Sequence, residues 1–266
     1  MLLFFFLTFN SFSWCPFLHQ VIAQQFLERH LTNISESEKD SFLLGSVWAD
    51  GLDKSITHKI QRLFDKMWRV KFIKNNKIID LNNNDIKLQN DKENNDFYYF
   101  LLGIFSHIPP DTFAHAGKGE SFIIEKGILH YFSEVVVDSV IIRQYKPKMM
   151  KNILPTGIRA KLNEFGIRES RFFRVFYPLV YLSAKIFPLH RFLPFVQINS
   201  CCHGITAYTE SSCTLSKHVL AMHEALELAF QRLGDVEFNN LHMENITTNL
   251  VHQIGCCKVG EIPHWK

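Results

Sequence analysis

Two runs of metal-binding side chains, each with helical spacing, are the most informative feature of the sequence. The first run is His107, Asp111 and His115, and the second is His130, Glu134 and Asp138. Because an α-helix turns once every 3.6 residues, side chains four positions apart lie above one another on one face. Imidazole and carboxylate groups are ligands that zinc takes in proteins. Two such stripes close together predict facing helices that enclose metal ions.

The N-terminal quarter of the chain supplies further groups of the same kind. His19 comes first, and Asp50 and His58 add a carboxylate and an imidazole from a second segment. A lone histidine is more often a surface or core residue than a ligand, so His19 and His58 are weaker candidates than the two runs. All three would nevertheless complete a site with several ions.

The first residues of the chain have the pattern of a secretory signal peptide. Residues 1–9 form a compact apolar run, and Ser11 and Ser13 are small residues at the positions that a signal peptidase prefers. Cleavage after Ser13 would remove residues 1–13 and make Trp14 the first residue, with an α-amino group free to bind metal. The alternative is an uncleaved apolar N-terminus, which is too short to span a bilayer. The expected metal ligands are therefore Trp14, His19, Asp50, His58, His107, Asp111, His115, His130 and Glu134.

These motifs resemble the superfamily of zinc-dependent phospholipases C and single-strand-specific zinc nucleases. Within it they are most similar to the catalytic domain of glycosylphosphatidylinositol-specific phospholipase D. Residues 100–115 resemble that family's F-x-x-G-x-x-x-H-x-x-x-D-x-x-x-H helix, and the second run resembles its H-x-x-x-[DE]-x-x-x-D helix. Residues 45–50 resemble its G-x-x-x-P-D segment, with Ala49 in place of proline. The resemblance covers residues 14–145.

The resemblance implies three zinc ions and a role for each ligand. Asp50, His58 and His107 would hold one ion, and Asp111 would bridge it to a second ion. His19 and the α-amino and carbonyl groups of Trp14 would complete the second ion. A third ion would be held by His115, His130 and Glu134, and Asp138 would orient one of the ligand histidines. The spacing from Asp50 to His58 is shorter than in the similar enzymes.

The expected activity follows from this cluster. Zinc lowers the pKa of bound water to about 7, so that hydroxide is present at neutral pH to attack a phosphodiester. Asp50 is expected to act as a base as well as a ligand. We therefore expect a secreted zinc phosphodiesterase that hydrolyses phospholipids or glycosylphosphatidylinositol anchors. The alternatives are a single-strand-specific nuclease, whose Trp-x4-His start is matched by Trp14 and His19, and a zinc-binding module without turnover.

The remaining sequence agrees with one large helical domain over residues 14–266. The apolar fraction of 47% argues against disorder, and a net charge of +3 is too small to infer nucleic-acid binding. Helical periodicity in residues 17–30 and around both ligand runs predicts an all-α, multi-helix bundle, and the family resemblance implies that this bundle holds a trinuclear metal site. Pro109 and Pro110 interrupt the first run, so we expect a helix that starts near Pro109 or is kinked there.

Cysteines and glycosylation motifs fit an extracellular protein. The chain has six cysteines, an even number that predicts up to three disulfides after secretion. They are Cys15, Cys201, Cys202, Cys213, Cys256 and Cys257. Asn33 and Asn245 begin glycosylation acceptor motifs.

Two other segments are predicted to lie at the surface or to pack against it. Residues 74–96 are rich in Asn and Lys and poor in apolar residues, which predicts a mobile surface insertion. Residues 171–197 are rich in Phe, Leu and Pro. For them a buried helical hairpin is favoured over a lipid-facing patch, so peripheral contact with a membrane stays open.

Overall fold

The described structure is helical, as the sequence predicts. The computed structural model describes residues 16–63, 92–115, 128–186, 197–200, 204–207, 212–233 and 237–255. Within these ranges the regular structure is helical apart from one short pair of antiparallel strands, so the all-α fold class is confirmed. The predicted signal peptide and Trp14 lie outside the described residues, as do the side chains of the six cysteines.

The elements follow one another along the chain in a simple order. The helices are α1 (Pro16–His30), α2 (Glu36–Trp48), α3 (Lys54–Thr57), α4 (Lys92–His115), α5 (Ile128–Tyr145), α6 (Thr156–Glu164), α7 (Arg171–Ile186), α8 (Ser212–Gln231) and α9 (Asn240–Gly255). A 3₁₀ turn, Ala49–Gly51, follows α2 directly. Strands β1 (Gln197–Ser200) and β2 (Gly204–Ala207) pair antiparallel, with Gln197 opposite Ala207.

Local capping fixes the start of the two helices that precede and follow the 3₁₀ turn. At α2, the Ser35 hydroxyl accepts the backbone N–H of Glu38, and the Glu38 carboxylate accepts the N–H of Ser35. This reciprocal pair satisfies two N–H groups that the helix leaves without partners. At α3, the Asp53 side chain accepts the N–H of Ser55 at 3.0 Å. The two caps fix where α2 and α3 begin, and the 3₁₀ turn with Asp50 lies between these two helices.

Helices α2 and α4 cross with their backbones in contact at two glycines. A Cβ added to Gly45 would overlap the carbonyl oxygen of Phe100, and one added to Gly103 would overlap the carbonyl oxygen of Phe42. Only a residue without a Cβ fits at either position. The close crossing lets the C-terminal half of α2 lie against the part of α4 that carries the first ligand run.

Helix α4 runs from Lys92 to His115 and contains Pro109 and Pro110. The predicted start near Pro109 is therefore wrong, because packing of the apolar residues that precede it extends the helix by more than four turns. Neither proline has an N–H to donate to the preceding turn, and the tertiary contacts of α4 offset that loss. The last five residues of the predicted insertion 74–96 also belong to α4, and residues 74–91 lie outside the described residues.

The core is formed mainly by aromatic and branched side chains around α4. Phe97, Phe100 and Phe105 of α4 are fully buried, as are Phe26 of α1 and Phe42 of α2. Aromatic rings of this size each remove a large apolar area from water, which is the main favourable term in folding. None of the described helices combines the length and the apolar composition that a membrane-spanning helix requires.

Helix α7 differs from its predicted environment. Its inner face is buried, with Phe173 packed on Trp48 and Tyr177 stacked on Phe17. Its outer face exposes four large apolar side chains, those of Val175, Leu179, Leu182 and Ile186. The prediction of a buried hairpin is therefore wrong for this face of α7, because one neighbouring layer of helices covers only one side. Residues 187–196 lie outside the described residues.

The glycine crossing makes a testable prediction about stability. Replacing Gly103 with Ala should lower the free energy of unfolding by about 2 kcal/mol or more, because the new methyl group forces the two helices apart. Gly157 in α6 is a matched control, since a Cβ there would meet nothing within 4 Å. Gly157→Ala should leave the stability unchanged or raise it by up to about 1 kcal/mol. Equal stabilities of the two variants in chemical denaturation would contradict the crossing.

Candidate metal centre

Four side chains from three segments converge at the α2–α4 crossing. Asp50 comes from the 3₁₀ turn, His58 follows α3, and His107 and Asp111 lie on α4. The Nε2 atom of His107 lies 3.6 Å from an Asp50 oxygen and 3.9 Å from an Asp111 oxygen. The Nε2 atom of His58 lies 3.4 Å from Asp50 and 3.8 Å from Asp111. Both ring nitrogens therefore face the same two carboxylates.

The backbone of α2 holds the ring of His107 in one orientation. Its Nδ1 atom lies 3.0 Å from the carbonyl oxygen of Ser46. Because a carbonyl can only accept, Nδ1 carries the proton and Nε2 keeps its lone pair. The side chain is fully buried, and this burial lowers the pKa of His107 despite the opposing influence of Asp50 and Asp111. His107 is therefore a neutral imidazole with a lone pair aimed at the carboxylates.

His58 is oriented in the same way by its neighbour in the chain. The Thr57 hydroxyl donates to the carbonyl oxygen of Ala49 at 3.0 Å, and the hydroxyl oxygen lies 2.9 Å from Nδ1 of His58. With the hydroxyl proton engaged by Ala49, Nδ1 of His58 is the donor and Nε2 is left with a lone pair. The nitrogen lone pairs of both histidines thus point towards Asp50.

Asp50 is buried and has the electrostatic surroundings of a carboxylate that faces cations. Burial by itself raises the pKa of this carboxyl, but His107, Lys54 and His58 together hold it below its usual range. The Lys54 ammonium lies 3.3 Å from the carboxylate. Within the described part of the chain, neither carboxylate oxygen of Asp50 accepts a hydrogen bond. The Lys54 ammonium offsets part of the cost of burying this charge, and a further cation beside the two carboxylate oxygens would offset more of it.

His19 brings helix α1 to the same cluster. Its ring lies 3.8 Å from the ring of His107, centre to centre. Two groups of side chains offer ligand atoms within 4.8 Å of one another: His19 with His107 and Asp111, and Asp50 with His58 and His107. The two groups adjoin at His107, whereas the sequence resemblance expects Asp111 to join two neighbouring ions.

Asp138 anchors helix α1 through its backbone. One carboxylate oxygen accepts the N–H of Leu18 at 3.0 Å, and the other lies 3.4 Å from the N–H of Phe17. Burial raises the pKa of Asp138 well above its usual value, and these two N–H groups oppose that rise. Acceptance by both oxygens fits the ionised form, which the positive end of α1 and any nearby cation would favour. The resemblance expects Asp138 to orient a histidine ring directly, and the structure gives it this contact with the helix that carries His19.

The second ligand run is placed on α5 as predicted, and its side chains are described in part. Glu134 is fully buried, one helical turn before Asp138. His115 ends α4 and His130 lies in the first turn of α5, but their side chains lie outside the described part of the structure. Of the three residues expected to hold a third ion, only Glu134 has a described side chain.

Three residues support the cluster in ways that sequence reasoning missed. Ser46 accepts the proton of His107, Thr57 accepts that of His58, and Lys54 lies beside Asp50. The sequence carries a weak signal for two of them, because Thr57 directly precedes His58 and Lys54 is one helical turn after Asp50. The Ser46 contact has no such signal, since it joins residues 61 positions apart.

The residues present fit a zinc site by their chemistry. Two histidines whose rings are oriented by contacts at Nδ1, and a buried carboxylate that accepts no hydrogen bond within the described residues, form a nitrogen and oxygen donor set of the kind that zinc binds. The carbonyl behind His107 and the hydroxyl behind His58 are the outer contacts that such ligands usually have.

Comparison with known families gives a match over most of the described site. Residues 18–171 match the family described as zinc dependent phospholipase C. The matched segment is more than half of the 266-residue chain and runs from the first turn of α1 to the start of α7. No curated protein and no solved structure matches the chain.

The role of Thr57 can be tested by removing its hydroxyl alone. Thr57→Val should lower the affinity for zinc by about 10–100-fold, because Nδ1 of His58 loses its acceptor and the ring loses its orientation. Thr247→Val is the matched control: Thr247 is also fully buried, but its hydroxyl donates to the Met243 carbonyl in α9. Isothermal titration of the metal-free proteins with zinc measures both affinities. An equal affinity for the two variants would contradict the role of Thr57.

The role of Asp138 is tested by Asp138→Asn. An amide can accept one N–H of α1 but presents its own NH₂ group to the other, so the free energy of unfolding should fall by about 1–3 kcal/mol. The affinity for zinc should also fall, because α1 positions His19. Exposed Asp40 on α2 provides a control, and Asp40→Asn should change neither quantity. An unchanged stability of Asp138→Asn would mean that the carboxyl is neutral and does not anchor α1.

Proposed function

The chain belongs to the zinc-dependent phospholipase C family, and we propose that it is a secreted enzyme that uses zinc to hydrolyse the phosphodiester bond of phospholipids or of glycosylphosphatidylinositol anchors. Membership supports phospholipid hydrolysis at the level of the family. Secretion, the anchor substrate and the individual site residues are our proposals.

The observation that carries the proposal is the convergence on Asp50. The Nε2 atoms of two histidines with fixed tautomers, His58 and His107, each lie within 4 Å of a carboxylate oxygen of Asp50 and of Asp111. The four side chains are largely buried. A purely structural cluster would be expected to satisfy its polar atoms with hydrogen bonds. The carboxylate of Asp50 and the Nε2 atoms of His58 and His107 have none within the described part of the chain. A bound cation would satisfy all of them together.

We assign the ligands in three groups. Asp50, His58 and His107 would hold one zinc, and Asp111 would join it to a second ion held with His19 and Trp14. The described positions of His19 and Asp111 beside His107 support this arrangement. His115, His130 and Glu134 would hold a third ion, supported by the placement of both runs on α4 and α5.

The proposed chemistry divides between the metal and the chain. Zinc held by these residues would polarise the phosphodiester and lower the pKa of water near neutrality. The residues of the chain would orient the reaction: hydrogen bonds at Nδ1 fix the rings of His58 and His107, and the Asp50 carboxylate can accept the proton of the attacking water. The Lys54 ammonium keeps Asp50 ionised and adds a positive charge that favours an anionic phosphodiester.

Secretion rests on the N-terminal pattern and on one accessible glycosylation motif. Asn33 is exposed and lies in the turn before α2. Asn245 lies within α9, and the hydroxyl of its Thr247 is buried and donates to Met243. Both asparagines are exposed, as glycosylation requires, and Asn33 is the favoured acceptor because it lies in a turn whereas Asn245 is held within a helix. The predicted disulfides stay a prediction.

The experiment compares Asp50→Asn with Asp40→Asn in purified, zinc-loaded protein. Asp50→Asn should lose zinc and reduce phosphatidylcholine hydrolysis at least about a hundredfold, because a ligand and a base are lost together. Asp40 is exposed on α2, so Asp40→Asn should keep both zinc and activity. Zinc content is measured by elemental analysis before and after chelation, and activity should return when zinc is added back.

The substrate and the bond are read from the products. Phosphocholine with diacylglycerol would show a C-type cleavage, and choline with phosphatidate a D-type cleavage. Release of an anchored protein would support the glycosylphosphatidylinositol substrate. Hydrolysis of single-stranded DNA without lipid hydrolysis would contradict the proposal in favour of a nuclease. Zinc binding without any hydrolysis would contradict it in favour of a binding module.

A further inference from the structure

Exposed apolar side chains are concentrated on one part of the molecule. Among the described residues, the large apolar side chains that are exposed lie on α7 or in residues 145–153, with the single exception of Leu241 on α9. Those on α7 are Val175, Leu179, Leu182 and Ile186, which we name the apolar stripe; the others are Tyr145, Met149 and Ile153. Single exposed apolar residues are normal, but a contiguous group marks an interaction surface.

The apolar stripe lies along one face of α7. Its members are spaced by four, three and four positions, which places them within one narrow sector of a helix. Ile186 is 69% exposed and Val175 is 58% exposed. The opposite face is already occupied, because Phe173 and Tyr177 are buried against the core. Helix α7 is thus apolar on two sides, and the fold uses only one of them.

The segment 145–153 lies beside the apolar stripe. The Tyr177 hydroxyl accepts the backbone N–H of Met150 at 2.9 Å, and the Asn152 side chain donates to the Arg174 carbonyl at 3.2 Å. These two bonds fix the segment along the middle of α7. Met149 and Ile153, which are exposed, are thus carried by a segment that is bonded to α7.

The segments that carry these exposed apolar side chains are also rich in positive charge. Residues 139–163 and 171–200 contain no Asp or Glu. Of the described residues in these two stretches, six basic side chains are exposed: Arg143, Lys146, Lys148, Lys151, Arg171 and Lys185. An apolar face with basic residues at its edges is typical of a helix that lies in the interface of a membrane with negatively charged lipids. A second copy of the same surface would instead bring like charges together.

The surface is connected to the turn that carries Asp50. The N–H of Ser170 donates to the Gly51 carbonyl at 2.7 Å, and the N–H of Asp53 donates to the Arg168 carbonyl at 3.1 Å. Residues 168–170 lead directly into α7, and a Cβ on Gly51 would lie 2.7 Å from the Phe173 ring. Helix α7 therefore begins against the backbone that follows Asp50.

We propose that the apolar stripe, residues 145–153 and the exposed basic side chains of these segments form a docking surface for a phospholipid bilayer that carries negative charge. The choice of a lipid over a protein partner rests on the proposed function, in which the substrate lies in a membrane. The apolar side chains enter the region between headgroups and acyl chains, and the basic side chains contact the anionic headgroups. Docking through α7 holds the cluster around Asp50 close to the lipid surface.

The test measures binding to sucrose-loaded vesicles of phosphatidylglycerol and phosphatidylcholine. Binding is measured by sedimentation in an Asp50→Asn background, so that lipid is not consumed. The double variant Leu179→Ser with Leu182→Ser should reduce the partition coefficient at least about tenfold, because two apolar side chains no longer enter the bilayer. The control Leu241→Ser removes a leucine on α9 that is even more exposed, 63% against 46% and 49%, and it should leave binding unchanged.

Charge is tested separately from apolar contact. The double variant Lys148→Gln with Lys185→Gln should weaken binding at least about fivefold, and added salt should weaken binding of the unmodified surface. When Asp50 is retained, the double variant Leu179→Ser with Leu182→Ser should still hydrolyse a short-chain phosphatidylcholine below its micellar concentration. This readout shows that the variant is folded and that its defect is confined to the membrane surface.

Three outcomes would contradict the proposal that this surface docks to a membrane. A fourth outcome would support the docking surface and contradict the proposed function. Vesicle binding by the leucine variant equal to that of Leu241→Ser would overturn the docking surface. A shift from dimer to monomer in that variant, with vesicle binding unchanged, would assign the surface to a second copy. Hydrolysis of monomeric lipid by a protein that binds no vesicles would overturn the surface and leave the function. Vesicle binding through Leu179 and Leu182 without any hydrolysis would support the surface and overturn the function.

Discussion

The close crossing of α2 and α4 at Gly45 and Gly103 is the constraint on which the rest of the site depends. A Cβ on Gly45 would lie 3.0 Å from the Cα of Gly103, so the two backbones touch. This contact brings the Ser46 carbonyl to 3.0 Å from His107, where it fixes the proton on Nδ1. It also brings the turn with Asp50 opposite the first ligand run. A wider crossing would move a histidine and a carboxylate apart, whatever their sequence spacing.

Around this crossing, several buried polar groups lower the stability of the folded state. Asp50, His107, Glu134 and Asp138 are all buried in the interior of a helical protein. Isolated charges in such a place destabilise the folded state, and cations among them reverse that effect. The apolar core of α4 and its neighbours supplies the compensating stability, since its aromatic rings are fully buried. The arrangement is typical of a site in which stability is given up locally so that ligand atoms stay available.

Helix α7 connects the interior to the surface. Its inner aromatic residues pack on Trp48 and Phe17, which lie on the helices that carry or precede the ligands Asp50 and His19. Its outer face exposes the apolar stripe. One helix therefore packs against α1 and α2 on its inner face and presents apolar side chains outward. The backbone of residues 168–170, which lead into α7, also pairs with Gly51 and Asp53, just after Asp50 in the chain.

The sequence by itself determined the helices and the ligand types, because both depend on local spacing. The runs on α4 and α5, the helical class and the candidates His19, Asp50 and His58 could all be predicted from residues a few positions apart. The tertiary structure alone decided how they meet. The tautomer of His107 depends on a carbonyl 61 residues away, and the start of α1 depends on Asp138, 120 residues away. The exposure of one face of α7 could also not be predicted from the sequence, because the number of neighbouring elements that pack around an apolar helix decides which of its faces are covered.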